Sequence, residues 1–203
     1  MDNYKRIAIV GVGGIGSHLM DHVNQLSAAG EFVGWHFTIF DNDIIEPKNL
    51  KYQKFSDKHM GMPKAEALYE TLLDIPKFDA INRKATVEEL SANYDVVVIC
   101  VDSGKWRREF FEKCAEQENL YWIDLRSEGR IIAAYTKSKS NKTATMVATV
   151  QSAKEENASC QLKYELDSGK IQAGNRIVAL IGTQYLLNLY HGDSSPHTFS
   201  QLF

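Results

Sequence analysis

The stretch "IAIVGVGGIGSHLMDHVN", residues 7–24, runs from a short apolar segment through a glycine-rich turn into a helical pattern. The glycines form the pattern G-x-G-G-x-G at Gly11, Gly13, Gly14 and Gly16. Because glycine has no side chain, the backbone of such a turn can approach a phosphate closely, and the amides at the start of the following helix attract its charge. Ser17 adds a hydroxyl donor. Between a strand and a helix, this turn predicts a nucleotide site more strongly than it indicates tight packing alone.

Four continuous apolar runs predict buried strands of a parallel sheet: "RIAIV" (6–10), "HFTIF" (36–40), "DVVVIC" (95–100) and "LYWIDL" (120–125). Such runs are typical of strands that helices cover on both faces. Helical patterns separate them at 15–28, 64–73 and 105–117. A weaker strand is expected within "AINRKAT" (80–86). This alternation predicts an α/β fold with a Rossmann-like, doubly wound and mainly parallel sheet.

The pattern changes after residue 130. The segments "RIIAAYT" and "TATMVATV" predict an antiparallel extension of the sheet near residues 130–150. A long crossing loop is expected at 151–169, and "GNRIVALIGTQYLLNLYHG" predicts a final helix that ends at Gly192. We therefore expect a single nucleotide-binding domain over residues 1–193 and a C-terminal tail at 194–203.

Composition argues against several other classes of protein. The net charge of the 203 residues is −3, which does not indicate a partner that is a nucleic acid. No apolar stretch is long enough to span a membrane, and the four apolar residues between Arg6 and the first glycine are too few for a signal peptide. The three cysteines form no CxxC pair, so neither a structural zinc site nor a disulfide framework is supported. A cytoplasmic location is expected.

Three charged residues narrow the kind of nucleotide. Asp41 ends the second predicted strand, where it would reach the ribose hydroxyls of NAD or ATP alike. Asp102 follows the run at 95–100, where its carboxylate would repel a pyrophosphate unless Mg²⁺ lay between them; a helix N-cap is the competing interpretation. Lys64 opens a predicted helix, where a cation favours a nearby anion such as a phosphate, although a solvated surface lysine fits as well.

Five segments resemble, in order and spacing, the motifs of the ThiF/MoeB superfamily, which includes the ubiquitin-activating enzymes: "GVGGIGS", "DNDIIEPKNLKYQ", "GMPKAEA", "VDSGKWRR" and "SEGRIIAAY". The resemblance implies that Mg²⁺ and ATP are used to adenylate the C-terminal carboxylate of a ubiquitin-like protein or a peptide, and that the chain forms a homodimer. It implies that the glycine loop contacts the nucleotide and Asp41 the ribose, while Asp102 holds Mg²⁺ and Arg107 orients the loop of Asp102. Phosphate contacts are implied for Asn49, Gln53 and Lys64.

The sequence departs from the motifs of this superfamily at three points. Tyr52 stands where the pattern NLxRQ has a phosphate-binding arginine, with Lys51 beside it. The first strand begins near residue 6, which leaves no helix before it to donate an arginine to a partner, and both zinc-binding CxxC pairs are missing. The first two departures favour an alternative, a non-catalytic module that binds nucleotide or partner. An NAD-dependent oxidoreductase is a weaker alternative, because Asp102 argues against a dinucleotide.

Cys160 is a fourth candidate catalytic residue, in addition to Asp102, Lys64 and Arg107, and its proposed role is that of a nucleophile. Some members of the superfamily transfer the activated acyl group to a cysteine in the crossing loop, and Cys160 falls in that predicted loop. Cys100 and Cys114 fall in a predicted strand and helix, where burial is expected. Acidic neighbours such as Glu155 would raise the pKa of the Cys160 thiol and lower its reactivity, so a cysteine without a catalytic task stays open as the alternative.

Overall fold

The computed structural model describes residues 4–128, 130–150 and 171–203. Across these residues, seven strands form one sheet in the order β3-β2-β1-β4-β5-β6-β7. Their bounds are β1 Lys5–Val10, β2 Trp35–Phe40, β3 Phe78–Ile81, β4 Val96–Ile99, β5 Tyr121–Glu128, β6 Ile131–Thr136 and β7 Thr198–Leu202. The first five strands are parallel, whereas β6 is antiparallel to both β5 and β7. The prediction of a mainly parallel sheet with an antiparallel extension is confirmed.

The described helices cover both faces of the sheet. Their bounds are α1 Gly16–Ala28, α2 Lys64–Tyr69, α3 Val87–Asn93, α4 Gly104–Cys114, α5 Thr143–Thr149 and α6 Gly174–His191. Side chains alternate between the faces along β1: Ile7 and Ile9 pack in the core with α1, α2 and α6, and Ala8 and Val10 pack in the core with α3, α4 and α5. Because helices cover both faces of this doubly wound sheet, the buried parts of its central strands are continuously apolar, at residues 7–10 of β1 and at Val96–Ile99 of β4.

The order of the strands places a crevice beside β1. From β1 the chain builds β2 and β3 on one side and then β4 and β5 on the other, so β1 borders the point where the strand order reverses. In open α/β sheets, ligands bind outside the carboxyl ends of the strands at such a point. Gly11 N donates to Phe40 O at 2.8 Å and Cys100 N donates to Val10 O at 2.8 Å, which holds the ends of β1, β2 and β4 together.

The structure corrects the second strand expected near residues 130–150. "TATMVATV" forms helix α5, and β6 pairs with β5 and β7 instead. The β-branched composition of the segment favours a strand. The helix nevertheless forms because Met146 within it and Val150 directly after it, four residues apart, are buried in the core on the α4 side of the sheet. The weaker strand expected at 80–86 also shifts, and lies at Phe78–Ile81.

The structure also corrects the expected tail at 194–203, because Thr198–Leu202 form the edge strand β7. Asn141 fixes the approach to this strand, as its Nδ2 donates to Thr136 O at 2.9 Å and to His197 O at 2.6 Å. Phe199 then packs against the core beneath the sheet. The crossing loop expected at 151–169 lies outside the described residues. Within the described ranges, no helix has the length and apolar character needed to cross a membrane.

Candidate functional site

A cavity of about 600 Å³ opens at the carboxyl ends of β1, β2 and β4. Most of the residues that the sequence assigned to a nucleotide line it: Gly11, Gly13, Gly14, Asp41, Asn49, Gln53, Lys64 and Asp102. Three others do not line it: Gly16, Ser17 and Arg107. The residues predicted from the sequence therefore form two groups, eight that line the cavity and three that do not.

The glycine loop lies between β1 and α1, and its glycines have different tasks. Gly11 has a φ of +86°, a conformation that favours glycine. A Cβ on Gly16 would lie 2.0 Å from Gly11 O, so Gly16 lets the loop close on itself. A Cβ on Gly13 would meet nothing nearer than Gln53 Nε2 at 3.7 Å, so the fold does not require glycine there. Gly13 therefore lines the cavity although packing within the protein does not require a glycine at this position.

Ser17 secures this loop from behind. Its hydroxyl donates to Gly13 O at 2.6 Å and accepts from Lys54 N at 3.0 Å, and the residue is fully buried. The sequence predicts that Ser17 donates to a phosphate. In the structure, its hydroxyl is hydrogen-bonded to two backbone groups instead. The residue holds the loop in shape and joins it to the segment that follows β2.

Asp41 joins the loops that follow β1 and β2. Its Oδ2 accepts from Val12 N at 2.7 Å and its Oδ1 accepts from Asp43 N at 2.8 Å. Burial raises the pKa of Asp41 above its ordinary value, and the positive charge of Lys64 and the two N–H donors oppose that rise. Each carboxylate oxygen keeps a further lone pair for a hydroxyl on the cavity side.

Lys64 supplies a buried cation at the first residue of α2. Only 7 % of its side chain is exposed, and its Nζ lies 2.9 Å from Asp43 Oδ2. The backbone amide of Lys64 also donates to Asp43 O at 2.9 Å, so two contacts hold this helix start against the loop after β2. The anion that the sequence analysis expected near Lys64 is therefore present within the protein as Asp43.

Asn49 begins the short helical turn Asn49–Lys51 after β2, Gln53 follows two residues after that turn, and both side chains are buried. The Oδ1 of Asn49 accepts from Glu46 N at 2.9 Å, which shapes the loop. The buried Oε1 of Gln53 has no hydrogen-bond partner among the described residues. A buried amide of this kind usually has a partner, so Gln53 is suited to bind a group that enters the cavity. Tyr52 between them is buried and also lines the cavity.

Asp102 lies in the loop between β4 and α4, exposed at the wall of the cavity. Ser103 caps α4, because its Oγ accepts from Trp106 N at 3.2 Å. The helix-cap interpretation of Asp102 is therefore wrong. Within the described ranges, its carboxylate has no hydrogen bond or ion pair to protein, so both oxygens remain available to a ligand. Arg107, buried behind this loop, donates to Leu125 O at 3.0 Å and to Val101 O.

Sequence reasoning missed two lysines at the cavity. Lys84 lines it and has no ion pair within the described residues, whereas Lys48 lies 2.6 Å from Glu46 across its rim. Lys84 was included in a segment interpreted as a strand, and its place just past the carboxyl end of β3 is the signal that could have identified it. Trp106 also lines the cavity, and its Nε1 donates to Ala85 O at 3.1 Å.

The donor set fits a nucleotide with a magnesium ion. The described residues contain no cluster of three His, Cys, Asp or Glu side chains that could hold a metal alone. Mg²⁺ characteristically binds one or two carboxylates and completes its shell with phosphate oxygens and water. The free carboxylate of Asp102 can fill that role, while the cation of Lys64, the Nε2 donor of the Gln53 amide and the glycine loop can meet the phosphates.

The chain is similar in sequence to known proteins over part of their length. Ubiquitin-like modifier-activating enzyme 5 of Drosophila ananassae is 30% identical over 138 residues, which are 59% of this chain and 33% of that protein. The adenylyltransferase and sulfurtransferase UBA4 of Yarrowia lipolytica is 38% identical over 66 residues, which are 32% of this chain and 15% of that protein. Such matches span about a third or less of those relatives.

Two solved structures share the fold over the whole chain. MccB of E. coli, crystallised with ATP, aligns with a TM-score of 0.67 and 18% identity, covering 100% of this chain and 61% of that one. PaaA aligns with a TM-score of 0.69 and 17% identity, covering 100% of this chain and 62% of that one. The model of the ThiF family matches residues 3–203. The chain belongs to the ThiF family.

Proposed function

We propose that this protein uses ATP and Mg²⁺ to adenylate the C-terminal carboxylate of a ubiquitin-like protein or a peptide. The observation that carries the proposal is the free carboxylate of Asp102, which shares one cavity with the buried ammonium of Lys64 and the glycine loop. Relatives named as ubiquitin-like modifier-activating enzymes, and MccB crystallised with an ATP analogue and MccA, support the same class of chemistry.

In the proposed reaction, an oxygen of the substrate carboxylate attacks the α-phosphorus of ATP. A bond forms between the carboxylate oxygen and the α-phosphorus. The bond between the α-phosphorus and the oxygen that bridges it to the β-phosphorus breaks, and pyrophosphate leaves with that electron pair. The bound Mg²⁺ would neutralise charge on the phosphates and on the departing pyrophosphate. The protein contributes position: the glycine loop faces the phosphates and Asp41 faces the ribose, so positioning and charge neutralisation do most of the catalysis.

Asn49, Gln53 and Lys64 would meet the phosphates from the opposite wall. Tyr52 brings no positive charge to this wall, although an arginine is expected at its position. The ammonium of Lys84 lies at the same cavity without an ion pair in the described part of the chain, and we assign it the missing charge. A second copy in a homodimer would be a further source of cations. If neither source suffices, Tyr52 favours the alternative function, a module that binds the nucleotide without turning it over.

Calorimetric titration tests which nucleotide the protein binds. ATP should bind in a magnesium-dependent way and NAD should bind weakly. Replacing Lys64 with methionine should weaken ATP binding by about 10- to 150-fold, because a hydrogen bond to a charged group contributes about 1.5–3 kcal/mol. Lys51→Met is the matched control, since Lys51 is exposed in the segment between β2 and α2 and does not line the cavity. Tight NAD binding that is indifferent to magnesium would contradict the proposal.

Cys160 is proposed as the acceptor of the activated acyl group. Its thiolate would attack the carbonyl carbon of the adenylate, forming a C–S bond as the C–O bond to AMP breaks and AMP leaves. Cys160 lies outside the described residues. Cys100 and Cys114 are buried, and burial raises the pKa of the Cys114 thiol to about 11, so neither competes well as a nucleophile.

Mass spectrometry of the protein with ATP and its partner, without reductant, should show an adduct that Cys160→Ala removes. Cys114→Ala is the matched control and should keep the adduct. An adduct that survives Cys160→Ala would place the nucleophile elsewhere, and an adenylate with no adduct in either protein would leave Cys160 without this task.

A further inference from the structure

A fully buried carboxylate lies one strand away from the cavity, at Asp124 on β5. Its register partner on β4 is Ile99, three residues before Asp102. One oxygen of Asp124 pairs with Arg107, and the other lies 2.7 Å from Arg126. Burial of a single charge is costly, and the two arginines offset that cost for Asp124. We call these three side chains the buried ion network.

One arm of the buried ion network reaches the loop of Asp102. Besides its contact with Asp124, the guanidinium of Arg107 donates to Val101 O and, at 3.0 Å, to Leu125 O. Val101 O belongs to the peptide bond that leads directly into Asp102, and both residues line the cavity. Arg107 does not line the cavity itself. Any effect it has on a ligand must pass through the backbone that it holds.

The other arm holds helix α5. Arg126 donates from Nη1 to Thr149 O at 2.9 Å and from Nη2 to Thr149 Oγ1 at 3.0 Å, and its guanidinium lies 4.7 Å from the centre of the Tyr135 ring. Thr149 is the last residue of α5. The two arginines thus serve different elements, and Asp124 is the group that they share.

We propose that Asp124 is a positioning residue for Asp102, acting through Arg107 and the carbonyl of Val101. The carboxylate of Asp124 fixes the plane of the Arg107 guanidinium by a charge-assisted contact, and that plane fixes the peptide bond before Asp102. Without Asp124, the guanidinium of Arg107 would lose this charge-assisted contact and keep its contacts with the two carbonyl oxygens. The proposal rests on the proposed function, because Asp102 matters to a metal only if the cavity takes a nucleotide with magnesium.

The test compares two variants that differ only at Asp124. Arg126→Met removes the arm that holds α5 and leaves the pair of Asp124 and Arg107. The double variant Arg126→Met with Asp124→Asn also breaks that pair, and it removes the charge of Asp124 from Arg107 alone, because Arg126 is already replaced. Asn is nearly isosteric with Asp, so a difference between the variants reports the contact between Asp124 and Arg107. Circular dichroism should show that both variants fold before either is compared.

Two readouts distinguish positioning from general support of the fold. Hydrogen exchange of residues 101–106, followed by mass spectrometry, should be faster in the double variant than in Arg126→Met. The Mn²⁺ concentration that half-saturates ATP binding, followed by electron paramagnetic resonance, should rise by up to about 10-fold, the lower end of the range for losing a direct partner of a metal ligand, because Asp124 acts through Arg107 and Val101. A purely structural role for Asp124 would lower the melting temperature without changing the Mn²⁺ requirement.

Equal exchange rates in the two variants would overturn the proposal, and so would faster exchange with an unchanged Mn²⁺ requirement. If the wild-type protein shows no metal-dependent ATP binding, the proposed function fails, and hydrogen exchange alone then decides whether Asp124 orders the loop of Asp102.

Discussion

Replacing Asp102 with asparagine should abolish the substrate-dependent exchange of pyrophosphate into ATP while leaving the fold intact. The carboxylate is exposed and has no protein partner in the described ranges, so its loss costs the fold little. A neutral amide would hold Mg²⁺ poorly, and the loss of a metal's charge stabilisation costs several kcal/mol in the transition state. Since about 1.4 kcal/mol corresponds to a tenfold change in rate, exchange should fall by about a hundredfold or more. Radiolabelled pyrophosphate with candidate substrates that end in glycine would measure it.

Ser103→Ala is the neighbouring comparison. It removes the N-cap of α4, and should lower the free energy of unfolding by about 1 kcal/mol while most of the exchange is kept. Unchanged exchange in Asp102→Asn would exclude a metal ligand at this position. No exchange in the wild-type protein with any such substrate would favour the non-catalytic module.

Gly16→Ala should destabilise the whole domain. A Cβ at this position would lie 2.0 Å from Gly11 O, a backbone atom that cannot move without shifting the end of β1. Overpacking usually costs 1–3 kcal/mol, and a clash with backbone belongs at or above the top of that range, at about 3 kcal/mol. For a chain of this size, the melting temperature should then fall by about 6–12 °C, measurable by calorimetry.

Gly13→Ala is the matched variant for that prediction. Its Cβ would lie 3.7 Å from the nearest atom, Gln53 Nε2, so we expect an unchanged melting temperature and weaker ATP binding. The two variants therefore separate a glycine that the fold needs from a glycine that the ligand needs. If the Gly16→Ala protein has the same melting temperature as the wild type, α1 can shift away from Gly11.

The parallel core could be predicted because its signals are local. Residues 7–10 and 96–100 are continuously apolar, which is typical of a strand covered on both faces, and the glycines then fix where the first strand ends. The helix α5 could not be predicted in the same way. Its β-branched residues favour a strand, and only the packing of Met146 against the far face of the sheet, a long-range contact, decides for a helix.

In the candidate site, too, local features could be predicted and long-range contacts could not. Residues directly after strands, such as Asp41 and Asp102, could be placed by counting, because the carboxyl ends of parallel strands meet at one edge. The partners of those residues could not. Nothing in the spacing shows that Asp43 meets Lys64, that Ser103 rather than Asp102 caps α4, or that Asp124 meets Arg107, since each pairing depends on how two loops approach in space.

The contact between Lys64 and Asp43 bears on which nucleotides the cavity would retain. Their 2.9 Å ion pair means that a phosphate reaching Nζ must take the place of a carboxylate that is itself 60% exposed and free to turn into water. A triphosphate brings enough charge for that exchange, whereas a nucleoside monophosphate brings little beyond what Asp43 already offers. In the proposed reaction, Asp43 would swing back onto Lys64 as pyrophosphate departs. A surface carboxylate would then act as a returning counter-ion, which selects triphosphates on entry and hastens the release of product.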